Sequence, residues 1–549
     1  MLQWLRNYRR SMLAGDISAG IVVAMMMVPQ GMAYALVAGL SPVVGIYASI
    51  VPPILYALFG SSMTQSVGPM AITSLMTGAA LAPLAAAGSG LYTVLAAQLA
   101  LISGAVLLAC GLLRLGFVAN FFSRPVMSGF TIGAALVIAW GQVGPLLGGG
   151  LHQLHLPSAV LGFASLAVLY LARAYMAALL RRCGVSAGAA DVGARLAPMF
   201  VVVGATVLST LMALPAMGVH TTGSVPSGLP GLNLATSASH WRALLQPALL
   251  IGFVIFLCSM SAAQTLALRR QEKLQSNYEL LGLGVANLGS ALTGGFPVTG
   301  SISRSAVNFS AGANTPLASI ITAALLALAL VAPTGWLALL PLPALAATII
   351  VAVLGMLETT TLRTAWRYDR SDALALLATA GGVIVFGVEA GVMIGVLLSM
   401  ANLIWRASRP HIAVLGRIAG SEHFRNIERY PAETLADVLM LRIDANLFFG
   451  NVEAVNARVE DELNAHPAAR HVVLVMTAVS EIDTSALFGL GELNVALRRR
   501  GIGLHLAEVK GPVMDRLKES DLVTTLNGQI FLSALLAVEH LAPKNEYDI

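Results

Sequence analysis

The stretch GGFPVTGSISRSAVN, residues 294–308, lies inside a long apolar region but does not read as an ordinary membrane helix. Pro297 has no N–H to give, and Gly294, Gly295 and Gly300 resist helix. A helical pattern restarts only near Ile302. Residues 296–301 are therefore expected to be extended, with a half-helix starting at Ile302. Bare backbone at membrane depth is tolerated only where it is buried in protein or lines a cavity. A half-helix N-terminus presents unpaired N–H groups and about half a positive charge. Arg304, one turn in, adds a full charge, so the stretch reads as the floor of an anion site.

The surrounding composition sets the class. The chain has 549 residues, 57% hydrophobic and 11% charged, far too apolar for a soluble protein of this length. Apolar runs of about 20 residues recur from Ile17 to Trp405, which predicts a polytopic membrane domain in the bilayer. The formal net charge of +5 is read as membrane orientation and not as nucleic-acid binding. Cys110, Cys183 and Cys258 are too scattered for a disulfide framework or a metal site. The start, MLQWLRNYRRSML, looks like a signal peptide. The run after it is broken by Pro29 and Gly31, and many more spans follow, so it is read as a cytoplasmic lead-in over residues 1–13. No catalytic constellation, P-loop or nucleotide motif is present. The expectation is a protein that is not an enzyme and needs no cofactor.

Fourteen hydrophobic segments are expected, near 14–38, 42–59, 68–86, 91–111, 117–140, 156–180, 196–217, 243–267, 278–294, 302–312, 316–335, 342–358, 371–387 and 389–405. Basic residues collect on alternate connections: Arg114; Arg181, Arg182 and Arg195; Arg269, Arg270 and Lys273; Arg363, Arg367 and Arg370. The flanks add Arg6, Arg9, Arg10, Arg406 and Arg409, and Arg242 is the exception. This asymmetry predicts an even number of crossings with both ends in the cytoplasm. Residues 406–436 read as a charged linker. Residues 437–549 then alternate strand and helix signals. DVLMLRI, LFF, HVVLVM and GLHLAEV are expected as strands. NVEAVNARVEDELNA, DTSALFGLGELNVALRRR and stretches near 511–519 and 532–541 are expected as helices, in a small α/β domain outside the membrane.

QSVGPMA, residues 65–71, matches PVTGSISRSA, residues 297–306, in kind. Both are small-residue stretches that open the third segment of a seven-segment half. Matching broken segments in two halves predict an inverted-repeat transporter with its site between them, near the midplane. Backbone N–H groups near Met70–Ala71 and Ser303–Arg304 are candidate anion donors. Ser301, Ser303 and Ser305 offer hydroxyls. The competing reading is that these serines and glycines merely permit close helix packing, and that Arg304 snorkels or pairs structurally. Intramembrane charges are costly and usually functional, which favours the site.

The chain resembles the SulP anion transporters, the family of sulfate permeases, chloride/bicarbonate exchangers and prestin. The resemblance is carried by GDISAGIVVAMMMVPQGMAYALVAGLSPVVGIYASIVPPILYALFGSS (15–62), GGFPVTGSISRSAVNFSAGANTPLASI (294–320) and VEAGVMIGVLLSMANLIWRASRPHIAVLGRI (388–418). It implies fourteen transmembrane helices in 7+7 inverted repeats, as in the uracil permeases, over residues 14–405. Segments 1–4 and 8–11 would form a mobile core domain and segments 5–7 and 12–14 a gate domain, with anions carried by an elevator-like movement. The implied site positions are Pro29, Gln30 and Tyr34 on helix 1, Gly68 to Ala71 with Met70 on helix 3, helix 8, and Ser303 and Arg304 on helix 10. Helix–helix hydrogen bonding is the alternative for Gln30 and Tyr34. The resemblance also implies a homodimer in the inner (cytoplasmic) membrane.

One departure concerns energetics. Many relatives read FLES on helix 8, with an acidic residue facing the site. Here the stretch is FLCS, residues 256–259, with Cys258 at that position and Gln264 where a lysine is common. A thiol stays neutral at physiological pH, so the usual carboxylate-coupled symport is not expected, and exchange or passive conduction is. Proton- or sodium-driven uptake that survives Cys258→Ala would assign coupling to another group. Glu279, Glu358 and Glu389 are read as structural, Glu279 by complementing the dipole of helix 9. His152 and His155 are weak evidence for a metal.

Residues 437–549 resemble the STAS module found after SulP membrane domains. The marker is EIDTSALFGL, with Asp483, Thr484 and Ser485 at a helix start. A serine in this loop is phosphorylated in soluble relatives, but Ala486 replaces their glycine. A helix cap by Asp483 or Thr484 is the other reading. The Arg498–Arg500 run reads as a solvated helix end. The expected function is secondary transport of small inorganic or organic anions. The rivals are an uncoupled channel-like pathway, a nucleobase symporter on the shared fold, and a membrane-anchored scaffold whose STAS domain binds cytoplasmic proteins.

Overall fold

A computed structural model describes residues 3–6, 8–117, 123–149, 154–223, 226–231, 240–331, 335–355, 357 and 359–541. The chain divides into two compact units, residues 1–399 and 400–549. The first is helical: α1 (Arg10–Val37), α2 (Val51–Phe59, preceded by the short helix Pro42–Tyr47), β1 (Val67–Gly68), α3 (Ala71–Leu81), α4 (Gly90–Leu112), α5 (Arg124–Gly141), α6 (Leu156–Leu171) and α7 (Ala197–Leu211). It continues through α8 (Trp241–Arg270), α9 (Ser276–Leu292), β2 (Thr299–Gly300), α10 (Ile302–Ser310), α11 (Leu317–Val331), α12 (Leu342–Leu354), α13 (Arg370–Phe386) and α14 (Val388–Ser408). Among the described residues, seven helical stretches are long and apolar enough to cross a membrane, while α3, α7, α11 and α12 are shorter apolar helices.

Packing sorts these helices into two groups. α9 packs along α4 and α2, α11 along α1, and α8 along α4. Separately, α13 packs along α5, and α12 along α6, α5 and α7. Small residues set the closest approaches. A Cβ on Gly104 of α4 would lie 2.9 Å from the Gly284 carbonyl of α9, and one on Gly284 would lie 3.0 Å from the Gly104 carbonyl. The two backbones touch because neither residue has a side chain.

Charged side chains tie the connections. Asp16 on α1 is fully buried and accepts from the N–H groups of Asn314 (2.7 Å) and Thr315 (3.0 Å) and from the Thr315 hydroxyl (2.7 Å). Arg270, at the end of α8, donates to the carbonyls of Ala313 and Asn314, each at 3.0 Å. One loop therefore has its N–H groups held by an anion and its carbonyls by a cation. Glu279 was expected to serve the dipole of α9. It does lie in the first turn, but its carboxyl group is hydrogen-bonded to Tyr56 and to Ser61 and Ser62, fastening the α2–β1 connection.

The second unit is a six-stranded sheet in the order β4-β3-β5-β6-β7-β8. Its strands are β3 (Ile412–Arg417), β4 (Phe424–Asn426), β5 (Val438–Ile443), β6 (His471–Val475), β7 (Gly503–Ala507) and β8 (Ile530–Phe531). β5 to β8 run parallel, and β3 is antiparallel to β5 and β4. Val472 and Leu474 point into a core with α15 (Val452–Ala465), α16 (Thr484–Arg499) and α17 (Gly511–Lys518), while Val473 and Val475 meet α18 (Ala534–Leu541). Burial on both faces is why HVVLVM is apolar without alternation.

Two expectations are corrected here. Residues 406–436 are not a plain linker, because β3 and β4 lie within them and extend the sheet. Their charges, such as Arg425, sit on a short hairpin at its edge, while Ala413, Val414 and Leu415 are buried. LFF is not a strand. Leu447 makes a single bridge to Ile482, and Phe448 and Phe449 then turn into α15.

His505 on β7 is 4% exposed. Its Nδ1 accepts from the Gln529 N–H (3.0 Å), so Nε2 carries the proton and donates to His471 Nδ1 at 3.1 Å. Burial, with the nearby His471 and His540, pushes His505 down to about 4 from an ordinary 6.5. Above pH 6.5 the folded and unfolded states are both neutral and its contribution is intact. As pH falls from 6.5 toward 4 the unfolded state alone binds the proton, and stability is lost. The protection factors of the residue 504–507 amides in the full chain, referred to the intrinsic exchange rate at each pH, are expected to fall over this window, and His505→Phe to flatten the dependence.

Candidate functional site

The two broken stretches meet. β1 and β2 pair antiparallel, Val67 opposite Gly300 and Gly68 opposite Thr299, and the Ser301 N–H donates to Ser66 at 3.2 Å. α3 and α10 start from this two-stranded junction and run off in opposite directions, because the strands are antiparallel, so the positive ends of both helices face the crossing. The extended backbone, which would be ruinous in hydrocarbon, is satisfied by side chains. Asn287 of α9 clasps Val298, accepting its N–H (2.9 Å) and donating to its carbonyl (3.0 Å). Ser290 donates to the Phe296 carbonyl (2.7 Å) and Asn308 to the Thr64 carbonyl (2.9 Å), while the Thr299 hydroxyl ties the strand to α8 by donating to the Ile255 carbonyl (2.9 Å).

Arg304 stands at the centre and is 1% exposed. Its Nη1 donates to the Pro69 carbonyl at 2.7 Å, while Nε and Nη2 are buried without a partner. No carboxylate pairs with it among the described residues. A Cβ on Gly68 would lie 3.3 Å from Nη2, so the absent side chain makes room for the guanidinium. A buried cation with two idle donors is costly unless an anion joins it.

The other expected residues fall around this centre. Gly68, Met70 and Ala71 line the start of α3, and all are buried. Ser301 caps α10, its hydroxyl accepting from the Arg304 N–H at 3.5 Å and lying 3.2 Å from the Ser303 hydroxyl. Ser303 is exposed. Ser305 is spent on the junction, accepting from the Ser66 N–H at 2.9 Å. Tyr34 is buried in a cluster with Ala71, Ile349 and Val353, within electrostatic range of Arg304, and Gln30 is half-buried on α1. Cys258 is buried in the main apolar cluster. On α8 it is the next residue, Ser259, whose side chain makes a polar contact with the junction, accepting from Gln65 Nε2. Gln264 is exposed on α8.

Sequence reasoning missed Asp16, Tyr56, Gln65, Ser259 and Asn287. Asp16, a lone acid before an apolar run, carried a signal; the others are polar residues of ordinary type. Asp483 is a helix cap, one oxygen accepting from Ala486 N–H (2.7 Å) and the other from Phe449 N–H (2.9 Å), with Thr484 and Ser485 exposed beside it. His155 is held locally, by Ser158 (2.8 Å) and the Met217 carbonyl (2.9 Å). His152, Glu358 and the side chain of Glu389 lie outside the described residues.

The model of the sulfate permease family matches residues 13–379 and that of the STAS domain residues 429–534. A probable sulfate transporter of Mycobacterium tuberculosis is 36% identical over 554 residues, covering 97% of this chain and 96% of its own. A chloroplastic sulfate transporter of Arabidopsis thaliana is 34% identical, covering 96% and 80%. Among solved structures, the murine solute carrier 26 family member A9 anion transporter in its inward-facing state superposes with a TM-score of 0.87 at 21% identity, covering 98% of this chain and 93% of that one. The transmembrane domain of a cyanobacterial bicarbonate transporter gives 0.59 at 22% identity, covering 71% and 98%.

A Cβ on Gly300 would run into Gln65 Nε2 and lie 2.7 Å from Ser259 Oγ, whereas one on Gly90 meets nothing within 4 Å. Gly300→Ala is expected to cost about 1–3 kcal/mol through overpacking, seen as a lowered thermal midpoint of the purified protein. Gly90→Ala is expected to leave the midpoint unchanged.

Proposed function

Since the chain belongs to the sulfate permease family of multi-pass membrane anion transporters and ends in a STAS domain, we propose that it carries small anions of the sulfate, bicarbonate and chloride class by an elevator-like movement. The observation that carries this reading is Arg304, a buried guanidinium with two unpartnered donors, set where two half-helix N-termini adjoin. Fixed N–H dipoles and a hidden cation favour an anion over a cation or a neutral base. Gly68, Met70, Ala71, Ser301, Ser303 and Arg304 form its immediate surroundings, with Gln30 and Tyr34 contributed by α1 and Cys258 by α8. Sulfate is the first substrate to test, because relatives matched over nearly the whole chain are described as sulfate transporters.

The elevator reading draws on the packing groups. α1–α4 with α8–α11 would be the moving body, and α5–α7 with α12–α14 the gate, over fourteen crossings in two inverted halves. A homodimer in the inner membrane, both termini cytoplasmic, completes the proposal. The STAS unit would meet cytoplasmic partners near Asp483, Thr484 and Ser485, with exposed Ser485 the residue open to phosphorylation.

Equilibrium binding of radiolabelled sulfate, chloride and nitrate to purified protein, with fluxes in proteoliposomes, tests the reading. Saturable binding is expected, weakened on the order of 100-fold by Arg304→Glu. Non-saturating, purely conductive flux would favour the channel-like alternative, and an absence of anion binding would favour a scaffold.

A further inference from the structure

A second buried charge lies in the helical unit, and a chain of hydrogen bonds leads from it to the half-helix junction. Glu279 is fully buried, and among the described residues no cation pairs with it. Oε1 accepts from the Ser61 N–H (3.0 Å), the Ser61 hydroxyl (2.7 Å) and the Ser62 N–H (3.0 Å). Oε2 lies 2.7 Å from the Tyr56 hydroxyl, which lies 3.1 Å from Gln65 Oε1. Gln65 Nε2 meets the Ser259 hydroxyl, against Gly300 and one residue from the Ser301 cap. Tyr56, Gln65 and Ser259 are all buried.

Proton counting gives this chain two polarities. Tyr56 has one hydrogen and two acceptors in reach. With Glu279 ionised, Tyr56 donates to the carboxylate. Gln65 then does best with its NH2 group turned to Tyr56 and its carbonyl accepting from Ser259, so the serine hydrogen points away from the junction. With Glu279 protonated, its O–H donates to Tyr56, Tyr56 to Gln65 Oε1 and Gln65 Nε2 to Ser259. The Ser259 hydrogen is then free to donate at the junction. The second polarity places Gln65 as the structure does. An amide can present either end, so one proton at Glu279 reverses three hydrogen bonds without moving the backbone.

We propose that the Glu279–Tyr56–Gln65–Ser259 chain links one proton to anion binding, by turning a hydroxyl donor toward the half-helix junction when Glu279 is protonated. This rests on the anion-transport reading above. Protonation also removes a negative charge, so both effects favour an anion. By reciprocity, a bound anion strengthens proton binding at Glu279. The linkage differs from a helix 8 carboxylate, whose position is Cys258. Of the groups around Glu279, Tyr56 on α2 is the titratable one that touches it. α4 contributes the half-buried Cys110 and α8 contributes Cys258, while Arg114 lines the groove with Gln275, Ser276, Asn277 and Tyr278. None of these forms an ion pair with Glu279.

The test is radiolabelled sulfate binding to the purified full chain between pH 5 and 8, with calorimetry in buffers of different ionisation heat to count protons. Wild-type affinity is expected to rise on the order of tenfold toward acid, with proton uptake on binding. Glu279→Gln, whose amide donates to Tyr56 permanently, is expected to bind tightly at every pH without proton uptake. Tyr56→Phe cuts the chain but keeps the carboxylate, and is expected to retain only the shallower pH dependence that the charge alone gives, while still binding. Gel filtration and thermal melts establish that each variant is folded. A wild-type affinity that ignores pH, or a wild-type slope retained in either variant, would overturn the linkage while leaving anion transport standing. A wild type that binds no anion at any pH would defeat the transport reading itself, and this inference with it.

Discussion

A peptide group in hydrocarbon has no water to bond with, and the helical unit is arranged around the one place where that rule is strained. Between Val67 and Ser301 two extended strands cross within the membrane domain. Their N–H and C=O groups are met by each other and by the side chains of Asn287, Ser290 and Ser305. An unsatisfied buried backbone group costs several kcal/mol in lipid. The crossing therefore exists only because α9 and α10 bring those side chains to it. In return it gives two free helix N-termini at one point, which an unbroken helix pair does not offer.

The balance of charge in this unit follows the same logic. Asp16 and Glu279 are buried acids, yet each makes three or four hydrogen bonds and serves a loop. Arg304 is a buried base with one acceptor and two idle donors. The acids have their hydrogen bonds made and hold loops, while the base with idle donors is the centre of the proposed site. That contrast separates Arg304 from Arg270, a half-buried arginine fully employed by Glu272 and two carbonyls.

Much of this was legible in the chain. Pro297 and the glycines around it locate the break, and Arg304 is conspicuous because charges are rare in apolar runs. The helix start at Ile302 was readable because the prolines and glycines end where the helical pattern resumes. What stayed hidden was the employment of ordinary polar residues. Nothing in the spacing of Tyr56, Gln65 and Ser259 says that they touch, since the contacts join residues as far as 194 positions apart. Ser301 and Ser305 looked like ligand donors, but one caps α10 and the other holds the strand pair. In the second unit the hairpin over 412–426 was hidden by its own charges, which belong to a sheet edge and imitate a linker.

That hairpin bears on behaviour in a crowded membrane. The sheet ends at one side on β4, three residues long, and at the other on β8, two residues long. An exposed strand edge is a template for any passing strand, and membrane proteins meet copies of themselves confined to a plane. Edges this short, one carrying Arg425, leave too few free N–H and C=O groups to nucleate a shared sheet. The long apolar strands β5, β6 and β7, which would otherwise be good seeds for aggregation, lie in the interior of the ladder. The charged stretch that resembles a tether therefore also insulates the sheet from its neighbours.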